Sequence, residues 1–503
     1  MAAGNQAAKS TQPTYGNWRK PRTGGVVGQL TLGPSIMLLV GLAVVVVVSM
    51  ASIWVGLGLA LVLGVVVLAL SIPDRHGRTT AQRLFAGAAY RRAHKRGTTL
   101  YRSGPLGRIP SGNFELPGLA AGSELTEARD AYDRPFALLT YPRTNHHVVV
   151  LSCDSDGAAL VDQEQVDLWV AHWGQWLAGL AHEPGLVGAS VTVEAAPDTG
   201  IRLRREVEGQ ISADAPELAR EVLAAVVDTY PAGSAQITTR IALTYSGAAR
   251  DGRPRRTADE MALDLANRLP GLTSALDMTG AGAARPMTAE QLSEAVRVAY
   301  DPSVSVLIEE ARTRGGSHLT WDDAGPADAD EYQDGYWHDG ACSVTWQMSG
   351  APRGEVYSNV LTRFLLPHPD VARKRVTLLY RLHDPASATR VVEADRRNAS
   401  VRADQTTNGR ARESVEKLAA DQSAREEATG AGVTRFGLLA TATVLDRAQL
   451  PMAVAAVENL SGPARIVLRR VRASQASAFA AALPIGLVLP LHLAVPQAVR
   501  DAM

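Results

Sequence analysis

The chain has 503 residues, and its 51 Lys and Arg balance its 51 Asp and Glu, so it carries no formal net charge at pH 7. This length predicts two or three domains, and the balanced charge gives no reason to expect direct nucleic-acid binding. Its two cysteines, Cys153 and Cys342, exclude a disulfide framework, and no Cys and His spacing is typical of zinc. We predict no metal and no cofactor, and a reducing compartment.

The first predicted element is a membrane hairpin. No charged residue occurs in residues 23–72, and this run is about twice the ~20 residues that one helix needs to cross a bilayer. We predict transmembrane helices at residues 32–48 and 53–72, a turn at residues 49–52, and Trp54 at the far interface. A signal peptide is the competing interpretation, but its apolar core would be shorter and followed by a cleavage site.

Basic residues flank this hairpin on both sides. Arg19, Lys20 and Arg22 precede it, and seven basic residues follow between Arg75 and Arg96. Because cytoplasmic flanks are enriched in Lys and Arg, we predict a multi-pass protein of the inner (cytoplasmic) membrane with both termini in the cytoplasm.

The basic stretch "RHGRTTAQRLFAGAAYRRAHKRG" at residues 75–97 predicts an amphipathic helix. Two interpretations stay open for it. The helix rests on anionic lipid with Leu84, Phe85 and Tyr90 facing the bilayer, or it is a solvated juxtamembrane helix.

Beyond a Gly- and Pro-rich connection, strand-like and helix-like segments alternate to the end of the chain. The polar piece "WDDAGPADADEYQDGYWHDG" separates two groups of such segments, and the second group contains a long charged helix, "RESVEKLAADQSAREEATG". The predicted fold is therefore membrane-anchored α+β, with a transmembrane helix hairpin followed by two cytoplasmic α+β domains of ferredoxin-like, split βαβ type. The predicted divisions are an N-terminal cytoplasmic tail (1–30), the hairpin (31–73), the basic helix and linker (74–130), and the two domains (131–335 and 336–503).

A second apolar run, "ASAFAAALPIGLVLPLHLAVP" at residues 476–496, resembles a third membrane segment in composition. Pro484, Pro490 and Pro496 divide it into pieces too short to span a bilayer. We predict that it is the closing helix and tail of a soluble domain.

Two parts of the chain resemble components of type IV secretion systems. The segments "FGLLATATV", "ARIVLRRVRASQ" and "AFAAALPIG" resemble the end of the N-terminal domain of the conjugation-type ATPases. The hairpin, preceded by "NWRKPRTGGVVGQLTLG" and followed by "RHGRTTAQRLFAGAAYRR", is similar to the small two-helix subunit known as PrgI. The whole chain resembles an actinobacterial membrane-protein family in which both parts are fused.

This resemblance implies a role beside a motor. The sequence has no GxxxxGK[ST] phosphate loop and no Gly-Lys dipeptide, so the ATPase is expected to be a separate protein. We predict a non-enzymatic scaffold that docks this ATPase and other inner-membrane secretion subunits in the lipid bilayer, with self-association left open. The alternatives are an EccE-like component of a type VII secretion complex and a membrane-tethered glycosyltransferase that uses Asp154 and Asp156.

Three tryptophans are the candidate partner-docking residues. Trp169, Trp173 and Trp176 follow the spacing i, i+4 and i+7, so they share one face of a predicted helix. Such a stripe is typical of a core-facing surface. The alternative is a docking face, because Trp is enriched where protein partners bind.

No residues have the spacing of a catalytic or metal site. "CDSDG" at residues 153–157 contains an Asp-x-Asp pair suited to a metal on a sugar nucleotide, but turn residues directly after a strand explain it more simply. His146, His147, His172 and His182 form no HExxH pattern, and we interpret them as structural. The sequence therefore predicts no catalytic, cofactor-binding or metal-binding residue.

Overall fold

One large antiparallel sheet dominates an α+β fold. The computed structural model describes residues 13–16, 18, 32–72, 74, 76–107, 113–155, 157, 160–198, 200–212, 214–229, 235–249, 254–352, 354–405, 411–428 and 432–493. Within these residues the sheet has 13 strands, and each pairing between them is antiparallel.

Three helices precede the sheet: α1 (Leu32–Ala51), α2 (Ile53–Ser71) and α3 (Thr80–Lys95). The strands are β1 (Leu100–Arg102), β2 (Glu124–Arg129), β3 (Pro135–Tyr141), β4 (His146–Asp154), β5 (Leu186–Pro197), β6 (Ala235–Ser246), β7 (Ala283–Pro286), β8 (Asp328–Glu331), β9 (Tyr336–His338), β10 (Ala341–Gly350), β11 (Arg373–Leu382), β12 (Thr434–Val444) and β13 (Val467–Arg470). The helices between and after the strands are α4 (Gln163–Leu180), α5 (Ile201–Gln210), α6 (Glu217–Thr229), α7 (Ala258–Ser274), α8 (Ala289–Tyr300), α9 (Ser305–Thr313), α10 (Thr362–Leu365), α11 (Pro385–Gln405), α12 (Ala411–Ala428), α13 (Leu450–Ser461) and α14 (Gln475–Ala482).

The same strand arrangement occurs twice in the sheet. The strand order is β1-β8-β9-β10-β12-β11-β5-β6-β4-β3-β2, while β7 pairs with β4 and β13 pairs with β10. One half therefore contains β7-β4-β6-β5 and the other contains β13-β10-β12-β11. In each half one helix connects the first strand to the second in sequence, two helices connect the second to the third, and another connects the third to the fourth.

The two halves meet where β5 pairs with β11, which we call the seam. These strands occupy equivalent positions in the two halves, and they pair over seven consecutive residues. Thr192 and Thr377 lie opposite each other near the middle, with their hydroxyl oxygens 3.2 Å apart. Because equivalent strands pair antiparallel, a local two-fold axis through this threonine pair relates the two halves.

Helices cover both faces of the sheet. On one face α4 and α7 pack over the first half, and α10 and α13 pack over the second. On the other face α8, α14 and the segment after α14 belong to a single core that spans both halves. Val148 and Val150 of β4 face this shared core, whereas Val149 and Leu151 face the opposite one. This two-sided burial explains why β4, "HHVVVLSCD", is apolar without alternation.

Local sequence fixes where two of the covering helices begin. α7 starts at a capping box in which Thr257 and Glu260 bond each other's backbone N–H groups, and α8 starts at the same motif formed by Thr288 and Gln291. Each box satisfies donors that the first helical turn leaves free. The helices therefore start at positions that the sequence "T-x-x-E/Q" specifies.

The described part of the second apolar run, residues 476–493, belongs to the folded body, as the sequence predicts. Phe479 of α14 is fully buried, and the chain after α14 crosses the sheet within the shared core. Thr377 Oγ1 donates to the carbonyl of Ala482, and Thr244 Oγ1 donates to the carbonyl of Gly486, both at 2.7 Å. The run therefore joins the two halves by lying across them.

The acidic piece at residues 321–340, predicted to separate the two groups of segments, contains two strands of the sheet. It contains β8 and β9, which pair with each other, and β8 also pairs with β1. Ala329 and Tyr336 are buried, while the polar neighbours on β8 remain partly or fully accessible near the sheet edge. One sheet runs through the predicted boundary at residue 335, and the division into domains 131–335 and 336–503 stays a prediction.

We expect Gly486→Ala to destabilise the protein strongly. Gly486 has φ of 65°, and a Cβ there would lie 2.5 Å from Thr244 Oγ1 and 2.6 Å from Val148 Cγ1. Left-handed backbone alone costs a non-glycine residue about 1–2 kcal/mol, and the buried clash adds to this. The free energy of unfolding of the full chain in detergent, measured with urea, should fall by about 3 kcal/mol or more.

Gly118→Ala is the matched control. Gly118 has a similar φ of 67°, but nothing lies within 4 Å of the added Cβ. In this variant the free energy of unfolding should fall only by the cost of the left-handed backbone, about 1–2 kcal/mol. Equal decreases in the two variants would contradict close packing at Gly486.

Candidate functional site

The apolar helices α1 and α2 form a closely packed antiparallel hairpin. A single extended residue, Ser52, separates them, so the turn is shorter than the four residues that the sequence predicts. A Cβ on Gly41 would lie 2.5 Å from Leu63 Cδ2, and one on Gly56 would lie 2.6 Å from Ser49 Cβ. The glycines therefore set the distance between the helices.

The outer surface of the hairpin is apolar and exposed. In α2 only Gly56 and Val67 are buried, whereas Trp54 is 81% exposed and Leu61 is 72% exposed. Among the helices in the described part of the chain, α2 alone is long and apolar enough to cross a membrane, judged by length and composition. The side chains of α1 are described from Leu38 onward, and this part of the helix, Leu38–Ala51, is apolar but shorter. Large exposed apolar surfaces of this kind indicate contact with lipid or another protein.

The chain before the hairpin is attached to the sheet. Tyr15 and Val356 exchange two backbone hydrogen bonds of 2.8 Å, which form an isolated β-bridge just after β10. The ring of Trp18 packs edge-on against Phe436 of β12, with centroids 6.4 Å apart. The N-terminal flank is thus held by backbone pairing and by an aromatic contact.

The chain after the hairpin is attached to the same region. Asp74 accepts backbone hydrogen bonds from Arg78 (2.9 Å) and His76 (2.8 Å), and these bonds, chiefly that from Arg78, lower the pKa of the Asp74 carboxyl. His76 Nδ1 lies 3.2 Å from the hydroxyl of Ser349, which is on β10. A structured turn therefore connects α2 to the sheet.

Helix α3 follows this turn and contacts the sheet through the side chain of Tyr90. Tyr90 Oη donates a 3.2 Å hydrogen bond to the carbonyl of Glu331 on β8. The expectation that Tyr90 faces the bilayer is therefore wrong, because its side chain lies on the sheet-facing side. Leu84 and Phe85 are exposed.

Described residues on both sides of the hairpin thus contact the second half of the sheet. His76 contacts Ser349 near the C-terminal end of β10, and Tyr15 pairs with Val356, which follows that strand by six residues. Residues before and after the hairpin are therefore bound to one folded body. We call this arrangement the hairpin junction.

A buried ion cluster holds the seam. Glu194 of β5 accepts hydrogen bonds from Arg373 Nη1 (2.6 Å) and from Arg375 Nε (2.8 Å) and Nη2 (2.6 Å), both on β11. Burial by itself raises the pKa of Glu194, but the guanidinium groups of Arg375 and Arg373 outweigh burial and hold the pKa well below its usual range. Buried charges are tolerated when they are paired in this way.

The cavity beside this cluster is too small for a cofactor. It measures about 70 Å³, and charged side chains line much of it. Arg312 and Glu294 pair across it at 2.6 Å. Pockets for small-molecule ligands begin at roughly 300 Å³. The cluster therefore has the properties of a structural ion network.

A larger open groove runs along α13. Its volume is about 420 Å³, and Met452 on its wall is 58% exposed. In the first half the 18-residue α4 connects the first and second strands, whereas the corresponding α10 has four residues. The groove lies where the second half lacks a long helix. Its lining residues are His368, Asp370, Met452, Ala455, Ala456, Asn459 and Leu460.

The tryptophan stripe lies on the inward face of α4. Trp176 is buried and stacks on Trp173 with ring centroids 4.9 Å apart. Trp169 packs on Gly280, where a Cβ would lie 2.6 Å from the indole ring. Contacts within the chain therefore occupy much of the stripe, and its role in docking a partner stays a prediction.

Several of the candidate catalytic or metal-binding side chains are buried in β4. Burial raises the pKa of the Cys153 thiol to about 12, and it lowers the pKa of His146 and His147 to about 4. Asp154 is exposed at the end of β4, and Asp156 lies outside the described residues. Where the structure describes the chain, it brings together no group of three or more His, Cys, Asp or Glu that could hold a metal ion.

No sequence pattern predicted a buried chain of side-chain hydrogen bonds that connects β9, β10 and β12. His338 Nδ1 bonds the carbonyl of Tyr300, and burial lowers the pKa of this imidazole to about 4, so Nε2 accepts a 2.8 Å hydrogen bond from Ser343 Oγ. The Ser343 hydroxyl in turn accepts from Thr443 Oγ1 at 2.7 Å. A Ser–His pair is typical of nucleophilic catalysis. These groups are nevertheless fully buried in the core, so they align strands.

Comparison with known proteins finds a match at the hairpin. Residues 23–82 match a family model described as a domain of unknown function, DUF8461. No curated protein matches the chain. The matched residues contain α1, α2 and the start of α3, so the match ends before the sheet begins.

We expect Glu194→Gln to lower the free energy of unfolding by about 3–5 kcal/mol at neutral pH, because two arginines would remain buried without their counter-charge. The folded-state pKa of Glu194 lies below the unfolded value of about 4.3. The stabilisation is therefore present above that pH and is lost as the pH falls below it. Urea titrations of both proteins should show a difference that narrows below about pH 4.

Asp133→Asn is the control, because its pair with Arg129 is largely exposed. Exposed pairs contribute about 0–1 kcal/mol. A Glu194 effect no larger than this control would contradict the role of the ion cluster.

Proposed function

We propose that this protein is a non-enzymatic scaffold subunit of the inner membrane in a conjugation-type secretion or DNA-transfer machine, where it holds a separate ATPase at the membrane. The hairpin junction is the observation that carries the proposal. Residues before and after the two apolar helices are bound to the second half of the sheet, at Val356 and at Ser349 of β10. This geometry suits a folded body that is anchored by a membrane hairpin.

The surface of the hairpin supports membrane insertion. Exposing apolar area to water costs about 25 cal/mol per Å², and most side chains of α2 are exposed. Small residues at the helix contact, such as Gly41 and Gly56, are common where transmembrane helices pack closely. We infer that both α1 and α2 cross the bilayer as a hairpin.

The hairpin junction also supports the proposed orientation. Because residues on both sides of the hairpin contact the same sheet, both flanks lie on one side of the membrane. Basic residues flank the hairpin on both sides, and such flanks are usually cytoplasmic. We therefore place the sheet and both termini in the cytoplasm.

We further infer that the two halves are split βαβ units of ferredoxin-like type. The repeated strand order supports this inference. If the four strands of each half are numbered along the chain, their order across the sheet is fourth, first, third, second in both halves. Two inserted helices in each half, α5 and α6 or α11 and α12, extend the basic unit.

The resemblance of β12, β13 and α14 to the end of the ATPase N-terminal domain supports a motor contact in the second half. The groove along α13 is the surface we assign to it, because a long helix fills the corresponding position in the first half. A helix of the ATPase, laid in the groove against Met452 and Leu460, would complete the cover of the sheet.

The hairpin junction is equally compatible with an EccE-like subunit of a type VII system, and the identity of the bound ATPase separates the two assignments. The glycosyltransferase alternative depends on Asp154 and Asp156. In the described residues no further metal-binding side chains join Asp154, so no specific observation favours this alternative.

The topology is tested by labelling intact cells with a membrane-impermeant maleimide. Cys153 and Cys342 are buried, so an introduced cysteine is labelled selectively. Met50→Cys places a thiol at the exposed hairpin turn, and Leu160→Cys places one on the exposed surface of the sheet domain. We expect labelling of the first variant only, and of both variants after permeabilisation. The reverse pattern would rule out the proposed orientation.

Docking is tested by replacing the apolar wall of the groove. We expect Met452→Asp to reduce co-purification of the secretion ATPase at least tenfold, because an aspartate would be buried without a partner under the docked helix. Leu263→Asp, at a position that is also exposed (71%) on the counterpart helix α7, should leave co-purification unchanged. Mass spectrometry of the detergent-solubilised complexes measures both. Equal recovery from the two variants would exclude the groove as the docking site.

A further inference from the structure

We propose that the outward face of α3 binds the anionic headgroups of the bilayer beside the hairpin. This inference rests on the proposed membrane anchorage and adds a specific lipid contact to it. The outward face consists of exposed residues that lie about 100° or more around the helix from Tyr90: Leu84, Phe85, Arg91, Arg92, Lys95 and Arg96.

The sheet fixes which side of α3 is outward. Tyr90 donates to Glu331, and His94 Nδ1 lies 3.3 Å from Thr99 Oγ1. Tyr90 therefore marks the side of α3 that is attached to the sheet, and the exposed ring of His94 stacks on it. Successive helical residues are turned by about 100°, and this turn directs the residues of the outward face away from the sheet.

Helical spacing gives the outward face an apolar part and a basic part. Arg91 and Lys95 follow Leu84 by seven and eleven residues, so these three side chains share one stripe of the helix. Arg92 and Arg96 follow Phe85 by the same intervals and form the adjacent stripe.

The apolar part lies nearest the hairpin. α3 begins at a capping box formed by Thr79 and Gln82, and the amide of Thr80 donates to the carbonyl of Ile72 at the end of α2. Leu84 and Phe85, which are 56% and 76% exposed, lie on the first turns after this connection. They are therefore positioned to enter the interface beside the point where α2 leaves the membrane.

The basic part has charges available for a ligand. Arg91, Arg92, Lys95 and Arg96 are exposed, and among the described residues none of them forms an ion pair with a carboxylate. Arg91 Nε bonds only the carbonyl of Gly87 within its own helix. Four such cations beside exposed apolar side chains match the charge and polarity of an anionic lipid surface.

The test uses the full chain in lipid nanodiscs. A polarity-sensitive fluorophore on Phe85→Cys reports contact with the bilayer, and the buried native cysteines remain unlabelled. We expect its emission to shift to the blue when phosphatidylglycerol replaces half of the phosphatidylcholine. Replacing all four cations by Gln in the same labelled protein should abolish this shift.

A matched variant controls for total charge. It replaces four exposed arginines elsewhere on the body by Gln and should keep the full shift; the positions are Arg143, Arg205, Arg220 and Arg314. Emission that is equal in the two lipids, or a shift that survives the α3 replacements, would overturn the inference.

A second probe separates this inference from the proposed anchorage. The same fluorophore on Leu61→Cys in α2 should report an apolar environment in both lipids. If the Leu61 probe reports an apolar environment and the Phe85 probe does not respond to phosphatidylglycerol, then the proposed lipid contact of α3 is wrong and the membrane anchorage stands. If the Leu61 probe reports water, the membrane anchorage itself is wrong.

Discussion

The pairing of β5 with β11 is the constraint on which the rest of the structure depends. Without it each half would end in an exposed strand edge, and such edges recruit other chains. The pairing removes both edges and buries Glu194 between Arg373 and Arg375, so the halves cannot separate without exposing an ion cluster. The shared core adds a second connection, because α14 and the chain after it lie across both halves.

The symmetry of the two halves draws attention to the places where it fails. The long α4 of the first half has only the four-residue α10 as its counterpart, and the groove along α13 results. The hairpin junction is also found on the second half only, at β10 and β12. The proposed anchorage and the proposed docking surface thus occupy features that the duplicated framework does not require.

Much of the fold could be predicted from the sequence because its patterns are local. The continuous apolar run predicted α2 within one residue at its end. β8 was missed because its sequence, "DADE", is acidic, and β9 was missed because it has only three residues, "YWH", between polar turn residues. The predicted ferredoxin-like units are compatible with the repeated strand order, although no sequence repeat is evident.

The site was less predictable because its contacts join distant residues. Glu194, Arg373 and Arg375 each occur in strand-like segments, where a charged residue ordinarily indicates the solvent side. Their mutual burial depends on a pairing between strands that are far apart in the chain, and no local pattern encodes that pairing. The hairpin junction likewise depends on a bridge from Tyr15 to Val356.

The antiparallel seam also has a mechanical consequence. The helices inserted after β5 leave one end of the sheet, and those inserted after β11 leave the opposite end, because the two strands run in opposite directions. A pull between these two helical insertions would therefore slide β5 against β11 along their length. All hydrogen bonds of the seam would share that force at once instead of opening one after another, so the seam would resist a pull along its length more than a pull across it.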